Sequence, residues 1–188
     1  MGNAVFLVGF MGAGKSSVGR ALGEHLHWTF EDLDDRIERR EGRTVAEIFR
    51  NSGESAFRQA EQAALRSVLE ELHGGVARVV ALGGGTFAQT ANTALLEAAG
   101  VPSVFLDAPV DELWRRCRRQ ANEAGAERPL LKSMEQFRQL YEGRRKSYSK
   151  AGLKVNTGSR TVDAIAAEIA DALGLKAIAV RVEQGEVE

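Results

Sequence analysis

With 188 residues, the chain is long enough to bury the core of one domain. Its 44% hydrophobic and 27% charged content excludes a disordered composition. A formal net charge of −1 excludes a general electrostatic pull toward nucleic acid or acidic membranes.

The apolar start, Ala4–Val8, predicts a first strand that runs through a glycine-rich loop into a helix from about Lys15 to Leu26. It has no basic leader or cleavage site, and Phe6 stands where a myristoylation signal needs Ser or Thr. No apolar run approaches the ~20 residues that cross a bilayer. A cytoplasmic protein without membrane attachment is the expectation. Trp28–Leu33 reads as a short second strand leading into Asp34, followed by a helix over Asp35–Arg40. Thr44-Val-Ala-Glu47 fits a capping box, in which Thr44 caps a helix and Glu47 reaches back to the Thr44 N–H. A longer helix is expected over Glu54–Leu72.

Val76–Leu82 predicts another strand, ending in Gly83-Gly84-Gly85, and Ser103–Leu106 a further one. Cys117 has no second cysteine to pair with, and with His25, His27 and His73 it makes no metal cluster; it reads as a helix residue. Val155-Asn156 is a last short strand before the amphipathic helix Val162–Leu173. Apolar strands separated by helices predict an α/β fold, a parallel sheet sandwiched by helices. A single domain is expected over 1–174. For the tail, 175–188, an edge strand and a loose end both remain open.

Gly9-Phe-Met-Gly-Ala-Gly14-Lys15-Ser16 matches G-x-x-x-x-G-K-[ST] without a mismatch. Glycines let the backbone curl so that N–H groups face phosphate oxygens, and the following helix adds its positive end. In this pattern Lys15 neutralises β/γ oxygens and the Ser16 hydroxyl ligates Mg²⁺. No Asn-Lys-x-Asp occurs, so ATP is favoured over GTP. The strand Val79–Leu82 ends without the acid that commonly helps hold the metal, so Glu31-Asp32-Leu33-Asp34-Asp35 must supply it. In extended chain Asp32 and Asp34 share a face. Equally, these acids can cap the helix that follows.

The series continues as Asp32-x-Asp34, Gly42-Arg-Thr-Val-Ala-Glu-Ile-Phe49, Gly53-Glu54-x-x-Phe57-Arg58-x-x-Glu61, Leu82-Gly83-Gly84-Gly85, Arg128-Pro129-Leu130, and Arg144 four residues before Tyr148. In that order, over roughly residues 3 to 173, it resembles the shikimate kinase family of P-loop kinases, relatives of the nucleoside monophosphate kinases with a mobile lid. The resemblance implies an enzyme that uses ATP and Mg²⁺ to phosphorylate the 3-hydroxyl of shikimate, a step of aromatic amino-acid biosynthesis; nothing in the sequence demands an oligomer, and a monomer is expected. It implies ATP binding by Gly12, Ala13, Gly14, Lys15, Ser16 and Ser17. Ser16 and Asp32 would hold Mg²⁺, and Asp34 would bind the attacking hydroxyl and take its proton. Arg58 and Arg144 would bind the shikimate carboxylate, with Gly83, Gly84 and Gly85 close to the ring. Arg128 would reach the phosphates from a lid over about 118–132, while Arg116 and Arg160 would stack on adenine.

These roles suit the residue types. A planar guanidinium matches a carboxylate bidentately, and Glu61, three residues from Arg58 on a helix, can orient it. Gln120–Arg128 departs from the family in being several residues longer than its usual lid and richer in acids, while its polar, small composition suits a loop that opens and closes. The arginine runs Arg115–Arg119 and Arg144–Lys146 lack interleaved aromatics and read as anion-binding and surface positions, with no nucleic-acid partner. A gluconate-type polyol kinase and a nucleotide-binding protein without transfer activity are the competing expectations.

Overall fold

Every residue of Ala4–Val8 is buried, although alternate side chains of a strand point to opposite faces of a sheet. This strand, β1, must therefore be covered on both sides. In the computed structural model, which describes residues 4–124 and 133–178, β1 is the middle of five parallel strands. The others are β2 (Thr29–Asp32), β3 (Arg78–Ala81), β4 (Ser103–Asp107) and β5 (Leu153–Asn156), in the order β2-β3-β1-β4-β5. Val79 and Val80 of β3 and Val104, Phe105 and Leu106 of β4 are likewise buried. The edge strands β2 and β5 carry Thr, Glu, Asp, Lys and Asn, which suits strands with one wet side.

Seven helices connect and cover the described strands: α1 (Lys15–Leu26), α2 (Leu33–Glu41), α3 (Val45–His73), α4 (Thr90–Ala99), α5 (Val110–Ala124), α6 (Met134–Tyr148) and α7 (Val162–Ala172). A single 3-10 turn, Thr86–Ala88, follows the glycines after β3. Helix α1 packs on β2, β3 and α7, α2 on α3, and α6 on α5 and the 3-10 turn. No described helix is long and apolar enough to cross a membrane. Where β2, β3, α2 and α3 meet, Glu31 and Glu71 share Arg36 and Arg78 at 2.7 to 2.9 Å, which ties the four elements together.

The expected α/β architecture is present, with differences at element ends. Helix α2 starts at Leu33 rather than Asp35, because Asp32 Oδ1 accepts the Asp34 N–H at 3.1 Å and caps it there. The Thr44 capping box forms in both directions. The two helices expected on either side of Gly53 join as α3, which breaks at Gly53 (φ 79°, ψ 176°). Helix α5 runs on to Ala124, so Gln120–Ala124, expected in a loop, is helical. Gln, Ala and Glu are good helix formers, and their polarity reflects exposure rather than irregular backbone. After Leu175 no strand forms up to Ile178, whose N–H donates to the Leu26 carbonyl at 3.0 Å. The lid residues 125–132, Arg128 included, and the tail 179–188 lie outside the described residues.

Candidate active site

Loops leaving the carboxyl ends of β1, β2 and β3 enclose a cleft of about 430 Å³. Ligands of open parallel sheets gather at such strand ends. After β1 comes the phosphate loop. Gly12 there has φ 78°, and a Cβ on it would stand 2.7 Å from the Leu113 carbonyl and 2.9 Å from the sulfur of buried Cys117. Only glycine lets the loop lie this close to α5. Gly14 ends the loop in left-handed conformation without a side-chain cap. The first N–H groups of α1 are thus left for an anion.

Lys15 Nζ donates to the carbonyls of Gly9 (2.9 Å) and Phe10 (3.2 Å), which draws the ammonium over the loop. Burial lowers its pKa, and the charges of Asp32 and Asp34 oppose that shift. Gly12, Gly14, Lys15, Ser16 and Ser17 line the cleft, while Ala13 is buried beneath it.

Asp32 unites the two readings open from sequence. Its Oδ1 caps α2 and its Oδ2 accepts the Ser16 hydroxyl at 2.9 Å. Asp34 reaches the same cleft from the first turn of α2, so helical placement rather than strand alternation brings the pair together. Among the described residues, no donor reaches buried Asp34 Oδ1. Burial, and then the neighbouring Asp32 charge, raise the Asp34 pKa to about 6.

Gly83, Gly84 and Gly85 face the cleft in succession. A Cβ would fall 2.7 Å from Asp34 Oδ1 at Gly83, 3.3 Å from an Arg144 nitrogen at Gly84, and 2.9 Å from an Arg58 nitrogen at Gly85. The absent side chains therefore make room first for the protein's own Asp34, Arg144 and Arg58. This requirement precedes the room for substrate argued from sequence.

Arg58 is held by Glu61, which receives its Nη1 at 3.2 and 3.1 Å. Glu61 is only 1% exposed. It also accepts the Thr86 hydroxyl at 2.7 Å and the Asn92 amide at 3.3 Å. Four hydrogen bonds from three donors thus lock its carboxylate behind the guanidinium. Arg144 lies over the Phe10 ring, 5.8 Å from its centroid, and no carboxylate of the described residues pairs with it.

Arg116 and Arg160 do not line this cleft. Arg116 donates to the carbonyls of Gly12 (3.3 Å) and Thr157 (2.7 Å) and pairs with Glu112. It fastens the phosphate loop to the segment after β5. Arg160 donates to the Asn156 and Ala164 carbonyls and pairs with Glu168.

Phe49, Phe57, Met11 and Gln120 line the cleft without a role expected from sequence. The rings of Phe49 and Phe57 pack 4.6 Å apart across the Gly53 break. Their place in the ordered series was a signal, but aromatic residues at such spacing read equally well as core. Thr86 and Asn92 gave no signal, because neither lies near Glu61 in sequence.

A family model described as Shikimate kinase matches residues 11–174. The shikimate kinase of Persephonella marina is 37% identical over 166 residues, 88% of this chain and 95% of its own length. That of Cereibacter sphaeroides is 41% identical over 175 residues, 92% of this chain and 83% of its own. The solved shikimate kinase from Acinetobacter baumannii, in complex with shikimate, superposes with a TM-score of 0.79 at 33% identity, covering 90% of this chain and 92% of that one. From the phosphate loop to the last helix, the chain belongs to the shikimate kinase family.

Proposed function

We propose that the chain transfers the γ-phosphoryl group of ATP to the 3-hydroxyl of shikimate, giving shikimate 3-phosphate and ADP on the route to aromatic amino acids. One observation carries this reading: a phosphate loop, a carboxylate and two guanidiniums share one cleft. The triphosphate lies on the loop, with Lys15 leaving the Gly9 and Phe10 carbonyls for the phosphate oxygens. Shikimate lies in the cleft beside the glycine turn, with its carboxylate taken by the guanidiniums of Arg58 and Arg144.

As the acceptor oxygen bonds to the γ-phosphorus, the bond from phosphorus to the β–γ bridging oxygen breaks, and ADP leaves. Asp34 aims the hydroxyl and receives its proton. The transition state is loose, so positioning and charge neutralisation dominate, and proton removal is secondary. Arg128, by this reading, approaches the phosphates from the lid, and Arg116 and Arg160 flank the adenine.

The donor set fits Mg²⁺. Ser16 and Asp32 stand together as hard oxygen donors, and among the described residues no cluster of three or more His, Cys, Asp or Glu competes as a metal site. Magnesium typically takes one or two protein ligands and fills its shell with water and phosphate oxygens. Bound there, it would neutralise charge on the transferring phosphates. Lys15, Asp34, Arg58 and Arg144 meet in one cleft within a single chain, which supports a monomeric enzyme, and sedimentation with MgATP checks that.

The deciding experiment is a coupled ADP-release assay with shikimate, quinate, gluconate and nucleoside monophosphates. Shikimate-dependent release is expected. None at saturating MgATP would reject the proposal, and release with gluconate instead would point to a polyol kinase.

A further inference from the structure

Tyr148 closes the ordered series of motifs, yet the chemistry above gives it nothing to do. It is the bulkiest of the fully buried side chains among the described residues, and its ring packs on Phe105 of β4 at 5.4 Å. Its hydroxyl donates to the Gly84 carbonyl. A buried hydroxyl and a backbone carbonyl each need a partner, and here each supplies the other.

The location gives this bond its meaning. Arg144 precedes Tyr148 by four residues on α6, so both side chains share one helix face. A Cβ on Gly84 would lie 3.3 Å from Arg144 and 3.7 Å from the Tyr148 oxygen. Helix α6 therefore meets the glycine turn at two points one helical turn apart. On the far side, at Gly85, stands Arg58. The peptide between Gly84 and Gly85 is planar and trans, so fixing its carbonyl on Tyr148 directs the Gly85 N–H away from α6. Three successive glycines have no side chains to hold them and more backbone freedom than any other residues. Something outside the turn must fix it.

We infer that Tyr148 is a positioning residue for the acceptor subsite: its hydroxyl fixes the Gly84–Gly85 peptide, and with it the place of the glycine turn against the Arg144 and Arg58 guanidiniums. The ring fills the core, and the oxygen sets the subsite. Burial holds the phenol up at about 12, so it remains a donor throughout the range in which the enzyme is assayed. The inference rests on reading the cleft as the shikimate site.

Tyr148→Phe keeps the ring and removes one oxygen. A neutral hydrogen bond of ordinary strength corresponds to an acceptor KM raised about 5- to 10-fold. The kcat and the KM for ATP should stay within about twofold, because the turn lies on the acceptor side. The ratio of acceptor KM between variant and wild type should be flat from pH 7 to 9. A purely structural role would lower Tm and leave the acceptor KM alone, so a folded Tyr148→Phe with KM within about twofold of wild type overturns the inference.

Amide exchange in the unliganded wild-type enzyme gives a second decision that needs no variant. A preset turn keeps the buried Thr86 amide, which donates to the Gly83 carbonyl at 3.1 Å, slow to exchange before shikimate is added; fast exchange that slows only with shikimate overturns the inference. A wild-type enzyme with no shikimate turnover would defeat the proposed function instead, and the exchange measurement, repeated on Tyr148→Phe, would still judge the hold of Tyr148 on the turn.

Discussion

Asp34 keeps one carboxylate oxygen out of solvent beside the Asp32 charge, and its pKa rises to about 6. Two consequences follow from the sign of that shift. A carboxyl whose folded pKa lies above its unfolded value of 3.8 favours the fold most at low pH, and that contribution is lost as pH rises through about 6. Asp34→Asn should therefore raise Tm by a few degrees at pH 7.5 while removing most activity, and a melt beside an ADP-release assay reads both. In the wild type, kcat/KM for the acceptor should fall as pH drops through about 6, where the proton acceptor becomes occupied. Lys15→Ala should lose on the order of 10²–10³ in kcat, the usual consequence of deleting one preorganised charge. Arg58→Ala should chiefly weaken acceptor binding, and Arg58→Lys should rescue little, since an ammonium cannot make the bidentate contact. A near-normal acceptor KM in Arg58→Ala would contradict the carboxylate assignment.

Among the elements, α2 shows where sequence stops being legible. Asp32 and Asp34 were readable as a pair, but periodicity could not say whether Asp34 continued a strand or opened a helix. The structure uses both oxygens of Asp32, one for the helix cap and one for Ser16, a double duty that no local pattern reports. The Thr44 box, by contrast, was legible because both of its partners lie within four residues. Glu61 lies between these extremes. Its contact with Arg58 follows from helical spacing, whereas Thr86 and Asn92 come from 25 and 31 residues away. The Glu31–Glu71–Arg36–Arg78 cluster adds a prediction at this scale. Hydrogen bonds from Arg36 and Arg78 hold the Glu71 carboxyl down at about 2, against 4.5 when free. A depressed carboxyl stabilises the fold above its unfolded pKa and stops doing so as pH falls from about 4.5 toward 2. Glu71→Gln should flatten the Tm-against-pH curve across that window, which acid melts of both proteins would measure. The effect should be modest, because Glu71 is partly exposed and screened.

Across the whole molecule, the parallel sheet was legible from apolar strands separated by helices, but the strand order was not. Pairing β3 between β1 and β2 joins residues more than 45 positions apart, and no sequence period encodes it. The single domain proposed for 1–174 predicts that truncation after Ile178 leaves one cooperative melt within about 2 °C of the full chain. Truncation after Gly174 removes the Leu175 and Ile178 backbone bonds to Ala170 and Leu26 and should lower it further. MgATP at 100 times its Kd should stabilise either form by ~2.7 kcal/mol through mass action alone.

The glycine turn also bears on inhibition. Proteins commonly escape a tight-binding drug by growing a side chain into the space the drug occupies. Here any such growth at 83, 84 or 85 would first strike Asp34, Arg144 or Arg58. A compound seated flush against these three peptides would press on a wall that thickens only by displacing Asp34 or the ends of Arg144 and Arg58.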